Sequence, residues 1–147
     1  MKIFIASDHA GFKLKESLIP LLLELDYEVV DKGAFSYDEM DDYPDFIRPV
    51  AEAVSQHPMH TLGIIIGGSG QGEAILANRF KNVRATVYYG GSEEVIKLSR
   101  EHNDANILSL GSRFLTDDEA KRAVKLWLDT DFSEDERHIR RIQKIDD

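Results

Sequence analysis

Residues 62–73 read LGIIIGGSGQGE, an apolar run that passes directly into a glycine-rich turn. The apolar part is typical of a buried central strand, and the pattern after Glu73 indicates a helix. Four glycines leave backbone amides bare and let the chain bend sharply against a ligand. The helix start adds free N–H groups and the positive end of a dipole. This corner therefore predicts an oxyanion-binding site, with Glu73 as an unusual negative charge beside it.

Five β-prone runs alternate with helical patterns along the chain, and they predict the fold class. The predicted strands are residues 2–6, 27–30, 62–66, 84–89 and 106–110, and a C-terminal helical pattern follows the last crossover. We expect an α/β, three-layer, Rossmann-like fold whose five-stranded parallel sheet has helices on both faces. Residues 1–147 should form a single domain. Ligands of such sheets bind beyond the carboxyl ends of the strands.

Local patterns refine this prediction. Pro20 lies inside the first helical pattern and should kink or split it. Residues 116–119 and 133–136 both match a capping box at a helix start. The acidic run 38–45 lacks the spacing of a calcium-binding loop and is expected to be solvated.

Composition excludes several classes of protein. The chain has no cysteine, so disulfides, thiolate metal sites and a cysteine nucleophile are ruled out. Its net charge of −9 argues against general nucleic-acid binding. No apolar run is long enough for a membrane span or a signal peptide, so we expect a cytoplasmic protein.

Side chains capable of acid–base chemistry lie where predicted strands end. Asp8 and His9 follow the first strand and Arg113 follows the fifth, so they can line the same rim as the glycine turn. A loop histidine is often a surface or capping residue, and a first-turn acid such as Glu73 is often a cap. Beside backbone donors, however, Glu73 can remove a proton from carbon while the donors hold the enediolate oxygen. The helix end should keep Glu73 ionised, at some loss of basicity.

Two more groups occur late in the chain. His102 closes the fourth helical pattern and could shuttle protons near neutral pH, although a histidine is also ordinary at a helix C-terminus. Arg137 and Arg141 share a face of the last helix, with His138 close to it, and guanidinium groups match phosphate. A solvated helix whose arginines pair with nearby acids is the commoner alternative.

The glycine turn does not match known nucleotide motifs. It lacks the Gly-Lys-Ser/Thr ending of a P-loop, and Glu73 occupies the third glycine position of the dinucleotide fingerprint. His57 and His60 have no neighbouring carboxylate and make a poor metal site. We therefore expect neither a nicotinamide cofactor nor a metal.

A series of short motifs runs nearly from end to end of the chain. They are SDHAGF at 7–12 with Leu14 and Lys15, DKG at 31–33, DYP at 42–44, GSGQGE at 68–73 with ANR at 77–79, SREHNDAN at 99–106, GSR at 111–113 and RHIRR at 137–141. In this order the motifs resemble those of type B ribose-5-phosphate isomerases and their relatives acting on hexose 6-phosphates. Each motif is weak alone, and their common order makes the resemblance specific.

This resemblance implies an aldose–ketose isomerase that uses no metal or organic cofactor. One branch of the family carries a cysteine base at the position of Gly67, whereas this chain resembles the branch in which a glutamate at the position of Glu73 is the base. His102 would be the acid that opens the sugar ring, with Asp8 assisting and Asn103 binding hydroxyl groups. The enediolate oxygens would be held by Ser69 and the backbone of Gly68, Gly70, Gln71 and Gly72. The phosphate would be bound by His9, Arg113, Arg137 and Arg141, with His138 nearby.

The expected reaction interconverts ribose 5-phosphate and ribulose 5-phosphate, a step of the pentose phosphate pathway. Isomerisation of allose or galactose 6-phosphate is an alternative, because substrate length depends on loop shape around Asp8 and the last helix. A non-catalytic sugar-phosphate-binding module on the same fold is a third hypothesis; the presence of both Glu73 and His102 speaks against it. The resemblance also implies a homodimer or homotetramer with composite sites, acting on a small phosphorylated sugar and binding neither nucleic acid nor membrane.

Overall fold

The computed structural model describes residues 1–147, in which strands and helices alternate. The strands are β1 (Lys2–Ser7), β2 (Glu28–Asp31), β3 (Thr61–Gly67), β4 (Ala85–Tyr88) and β5 (Ile107–Gly111). The helices are α1 (Phe12–Glu24), α2 (Tyr43–Gln56), α3 (Gln71–Ala77), α4 (Glu94–Glu101), α5 (Asp117–Asp129) and α6 (Glu136–Gln143). Every predicted strand end lies within one residue of the observed end.

All strands pair in parallel in the order β2-β1-β3-β5-β4, which confirms the predicted five-stranded sheet. The order changes direction between β1 and β3, where Ser7 pairs with Ile66. Asp8 and Gly67 therefore leave the sheet side by side. This is the switch point at which ligands of open α/β sheets bind.

Apolar clusters cover both faces of the sheet. One contains 16 buried residues and includes Leu18 of α1 and Trp127 of α5; the other contains 9 and includes Val50 of α2. Strand β3 is buried at all its positions, with Ile64 in the first cluster and Ile65 in the second. Successive side chains of a strand point to opposite faces, so this strand contributes to both halves of the core.

Helix α1 continues through Pro20, so of the two predicted outcomes, a kink or a split, the split does not occur. Pro20 is exposed, while Leu14, Leu18 and Leu22 are buried in the core on the other side of the helix. Their burial outweighs the one backbone hydrogen bond that proline removes.

The two predicted capping boxes differ in outcome. At Thr116 both reciprocal hydrogen bonds of the box are present, and α5 starts there as expected. Ser133 instead accepts a hydrogen bond from the Asp135 amide at 3.3 Å, and α6 begins only at Glu136. Between them the backbone of Glu134 is left-handed, with φ of 61°, and this conformation separates Ser133 from the helix. None of the helices has the length and apolar character needed to traverse a lipid bilayer.

Candidate active site

The glycine-rich turn after β3 is held in shape by the loop after β5. Gly70 has a φ of 77°, a left-handed conformation that glycine adopts without strain. Its carbonyl accepts a hydrogen bond from Ser109 Oγ at 2.7 Å, and the Gly68 carbonyl accepts one from the Arg113 amide at 3.1 Å. Ser69 Oγ accepts the Gln71 amide at 3.3 Å, closing a small turn at the start of α3.

The Arg113 side chain also lies against this turn. A β-carbon added at Gly68 would be 3.0 Å from its Nη1. A guanidinium group therefore borders the bare backbone of the turn, and the two together form a basic rim suited to an anion.

The Glu73 carboxylate lies directly over Gly67. A β-carbon at position 67 would overlap it, so the carboxylate occupies the volume that any side chain there would need. Glu73 is 4% exposed, and no side chain of the protein hydrogen-bonds to it. Burial raises the pKa of Glu73 above its ordinary value, and the charge of Asp8 adds to this, while a hydrogen bond from its own backbone opposes it. The expected loss of basicity at the helix end is therefore wrong, because desolvation outweighs the backbone's stabilisation of the anion.

Asp8 is fixed at the end of β1. Its Oδ1 accepts hydrogen bonds from the amides of Ala10 at 2.9 Å and Gly11 at 3.2 Å. A β-carbon at Gly11 would lie 2.6 Å from Ile66, so this loop packs tightly on β3. The close packing holds the Asp8 carboxylate beside Glu73.

His9 follows Asp8 and is bound by Asp41, a residue that sequence analysis assigned to a solvated acidic loop. The Oδ1 atom of Asp41 lies 2.6 Å from His9 Nδ1 and accepts the His9 amide at 3.1 Å. The Asp41 side chain is only 8% exposed, so the expectation of a solvated run is wrong at this position. The Asp41 hydrogen bond is the main cause that raises the pKa of His9.

Tyr43 was also missed as a site residue, although its DYP motif was noted. Its ring lies against Gly72, where an added β-carbon would be 2.7 Å from the hydroxyl oxygen. Tyr43 thus forms a wall of the glycine turn. Neither Asp41 nor Tyr43 carries a local pattern that distinguishes it from an ordinary loop or helix-start residue.

A second cluster contains His102 and His138, whose rings stack with centroids 4.3 Å apart and planes at 18°. His138 is buried, and its Nε2 has no hydrogen-bond partner. Burial lowers the pKa of His138, and His102, Arg137 and Arg141 lower it further. Arg137 Nη2 is 3.8 Å from Asp135, a weak exposed pair of the kind expected for a solvated helix.

The two clusters lie at opposite ends of the sheet. Asp8, Glu73 and Arg113 follow the carboxyl ends of strands, whereas α4 runs back from β4 and brings His102 to the end where β5 begins. The length of β5, from Ile107 to Gly111, separates these two ends by about 13 Å at roughly 3.3 Å per residue. The structure therefore brings together one part of the predicted site and leaves a second part elsewhere in the same chain. The first part is Asp8, His9, Gly68, Ser69, Gly70, Gln71, Gly72, Glu73 and Arg113; the second is His102, Asn103, Arg137, His138 and Arg141.

The cavities of the single chain are consistent with the separation of the predicted site into two parts. The largest, about 340 Å³, is lined in part by Asn103, and none of the three cavities is lined by Glu73. One group of side chains has the composition of a metal site, since ligand atoms of Asp8, His9 and Asp41 lie within 4.8 Å of one another. The Nδ1 atom of His9 and the Oδ1 atoms of both acids already make hydrogen bonds there, so the group is a hydrogen-bonded network.

Comparison with known proteins gives one family. The model of the family described as Ribose/Galactose Isomerase matches residues 3–145. Ribose-5-phosphate isomerase B of Mycolicibacterium paratuberculosis is 42% identical over 142 residues, which are 97% of this chain and 87% of that protein.

Solved structures agree with this result. The structure of ribose-5-phosphate isomerase B from Mycoplasma genitalium with bound ribulose-5-phosphate has a TM-score of 0.93 and 43% identity, covering 98% of this chain and 93% of that one. The isomerase B of Clostridium thermocellum has a TM-score of 0.91 and 43% identity, covering 99% and 95% of the two chains.

Proposed function

This chain belongs to the ribose/galactose isomerase family, and we propose that it interconverts ribose 5-phosphate and ribulose 5-phosphate. One observation carries the proposal: a buried carboxylate, Glu73, lies over Gly67 at the switch point, next to a turn of bare backbone amides. A similar protein, from Mycoplasma genitalium, binds ribulose-5-phosphate. Its ligand is the product that this reaction would form.

In the proposed mechanism Glu73 removes the proton from C2 of the open-chain aldose. The electron pair of the broken C–H bond forms the C1–C2 double bond, and negative charge moves to the former carbonyl oxygen at C1. The Ser69 hydroxyl and the amides of the turn hydrogen-bond to the resulting enediolate. Glu73 then returns a proton to C1 while the proton of the C2 hydroxyl passes to the negatively charged C1 oxygen, which gives the ketose with a C2 carbonyl and a C1 hydroxyl. A raised pKa suits this function, because a base whose pKa lies closer to the working pH transfers protons more efficiently.

The remaining groups would come from a second copy of the chain. His102 and Arg137 lie near the opposite end of the sheet from Glu73, so within one chain they would not reach a substrate bound beside Glu73. In a homodimer or homotetramer, the second copy would supply His102 to open the sugar ring and Asn103 to bind hydroxyl groups. The phosphate would lie between Arg113 and His9 of one chain and the basic face of α6 of the other.

Solvent exchange tests the reaction directly. Purified protein in D2O should convert ribose 5-phosphate to ribulose 5-phosphate and place deuterium at C2 of recovered substrate. Glu73→Gln should lose turnover by about 10²-fold or more, with little change in KM, because the base acts only in the transition state. Binding of the sugar without exchange or interconversion would instead identify a non-catalytic module.

A comparison of substrates defines the class of sugar. The ratio kcat/KM should be highest for ribose 5-phosphate among five- and six-carbon aldose phosphates. A higher value for allose or galactose 6-phosphate would reassign the chain to the six-carbon reaction.

A further inference from the structure

Asp41 binds His9 through two hydrogen bonds that meet at one carboxylate oxygen. Oδ1 accepts from the His9 amide at 3.1 Å and lies 2.6 Å from the ring nitrogen Nδ1. The residues are 32 positions apart, so the contact joins the loop before α2 to the end of β1. Tyr37 meets the imidazole edge-on, with centroids 6.1 Å apart and planes at 89°. The ring is thus oriented by its own backbone, by Asp41 and by Tyr37.

This contact determines which ring nitrogen remains for a ligand. A carboxylate only accepts hydrogen bonds, so Nδ1 must donate to Asp41 and carries a proton in either charge state. Nε2 is then the free nitrogen, and it can donate to a phosphate oxygen only when the ring is cationic. The charges around the ring are Asp8 and Asp41, which raise its pKa, and Arg113, which lowers it. The two acids therefore favour the form of His9 that binds an anion.

We propose that Asp41 is a positioning residue, which holds His9 so that Nε2 binds the substrate phosphate next to Arg113. The inference rests on the proposed function, in which His9 is part of the phosphate site. It assigns a function to the acidic loop. It also adds Asp41 to the residues that support substrate binding, although Asp41 would touch neither the sugar nor its phosphate.

A purely structural anchor would not require a charge at position 41. An asparagine could accept the same backbone amide of His9 and keep the loop attached. The observed carboxylate is 8% exposed, and its second oxygen, Oδ2, is buried without a hydrogen-bond partner. A buried carboxylate with one oxygen unpaired is unfavourable for stability alone. It is better explained by its charge acting on the imidazolium of His9.

The variant Asp41→Asn therefore separates the two roles. It keeps the shape of the side chain and removes the charge. We expect KM for ribose 5-phosphate to rise about tenfold at a pH between the His9 titration midpoints of the two proteins, where His9 is cationic in the parent and neutral in the variant, with kcat nearly unchanged, because phosphate contacts contribute uniform binding. The rise should be smaller at acid pH, where His9 is cationic in both proteins. Glu39→Gln is the matched control, since it removes a charge from the same loop at an exposed residue that makes no hydrogen bond or ion pair, and its KM should match the parent.

An NMR titration of His9 tests the contact without substrate. Its midpoint should fall to lower pH in Asp41→Asn and stay unchanged in Glu39→Gln. An unchanged midpoint in Asp41→Asn would overturn the proposal, whether or not the protein is an isomerase.

A double-mutant cycle with His9→Asn completes the test. His9→Asn alone should raise KM, and Asp41→Asn should add nothing further in that background. If the two effects simply add, Asp41 acts through another group and the proposal fails. If His9→Asn leaves KM unchanged, the phosphate role of His9 is wrong and the proposal falls with it, while solvent exchange by the parent protein still reports on isomerisation.

Discussion

At the scale of single residues, Glu73 combines a functional advantage with a structural penalty. Its carboxylate is buried and receives no hydrogen bond from another side chain. Burial disfavours the charged form and so raises the pKa, which helps a base and destabilises the fold whenever the group is ionised. Ionisation of Glu73 therefore lowers the stability of the fold, whereas the raised pKa would favour its proposed function as a base. The loss of stability depends on pH because the ionisation does.

We expect Glu73→Gln to be more stable than the parent at neutral and alkaline pH. The folded pKa of Glu73 is raised above the ordinary value of 4.5, so the folded parent binds more protons than the unfolded chain in the interval between the two values. Its free energy of unfolding therefore falls, relative to the variant, as pH rises through that interval. Urea unfolding of both proteins at several pH values measures this. A stability difference that is constant with pH would show that ionisation of Glu73 is not its cause.

Gly67→Ala should inactivate the enzyme without removing a catalytic group. The added methyl group would overlap the Glu73 carboxylate and force it out of position. A displacement of about 1 Å at a reacting group can lower kcat by about 10²-fold. Steady-state kinetics on protein shown by circular dichroism to be folded provide the measurement. Activity within tenfold of the parent would mean that the base does not act from this position.

Sequence reasoning reached part of the site at this scale. Asp8, the glycine turn that leads to Glu73, and Arg113 were predicted to lie on one rim because each follows a strand, and strand ends can be predicted from apolar runs. Asp41 was missed because its burial depends on a contact 32 residues away, and its acidic neighbours are exposed. The increase in the pKa of Glu73 was missed for the same reason, since desolvation of its carboxylate depends on tertiary packing.

At the scale of secondary structure, α1 is tied to the sheet by a buried lysine. Lys15 is fully buried, and its Nζ donates to both carboxylate oxygens of Asp31 at 2.8 and 2.9 Å and to the Ala34 carbonyl at 2.6 Å. The Ala34 amide in turn donates to the Ser7 carbonyl at 2.7 Å. One ammonium group therefore joins α1, the end of β2 and the strand end that precedes Asp8.

Lys15→Met should lower the free energy of unfolding by about 3 kcal/mol, because it leaves the Asp31 charge with only the Gly33 amide as a partner in a half-buried site. Lys13→Met is the matched control: Lys13 is exposed on the same helix, so that variant should unfold like the parent. Urea unfolding compares the three proteins. Adding Asp31→Leu to Lys15→Met should recover part of the loss, and a further loss would contradict the ion-pair explanation.

The predictions for whole elements succeeded where burial produces a regular pattern. All five strands were predicted within one residue at each end, since each is a β-prone run that stands out from the segments beside it. The sequence left open whether Pro20 kinks or splits α1, because its position on the exposed side of the helix follows from packing. The residues 133–136 match a capping box in composition, but the left-handed backbone at Glu134 is not visible in that pattern.

At the scale of the whole molecule, the sheet separates two half-sites within each chain. Glu73 and the glycine turn lie at the carboxyl end of the strands, and the stacked histidines His102 and His138 lie near the amino end. Neither half contains all the groups that the proposed reaction needs. The proposed reaction would therefore require two copies arranged so that opposite ends of their sheets meet.

Mixing two inactive variants tests this arrangement. Glu73→Gln and His102→Asn should each be inactive alone, yet subunit exchange should restore activity, because a hybrid dimer contains one site with both residues intact. Random 1:1 mixing of twofold dimers should give about one quarter of the parent activity.

The control for this experiment mixes Glu73→Gln with Asp8→Asn. Both changes fall in the same half-site, so every site of the hybrid remains defective and no activity should return. The contrary outcome is that subunits exchange but the activity of the Glu73→Gln and His102→Asn mixture does not exceed the summed activities of the two variants. Glu73 and His102 of the same chain would then belong to one site.

The space above Gly67 also constrains how this enzyme could have arisen. In this conformation it holds one functional group, so a reactive side chain at position 67 could occupy it only if the flexible Glu73 side chain moved away. A lineage that exchanged one base for the other would therefore have had to displace the first group before the second could act from the same place.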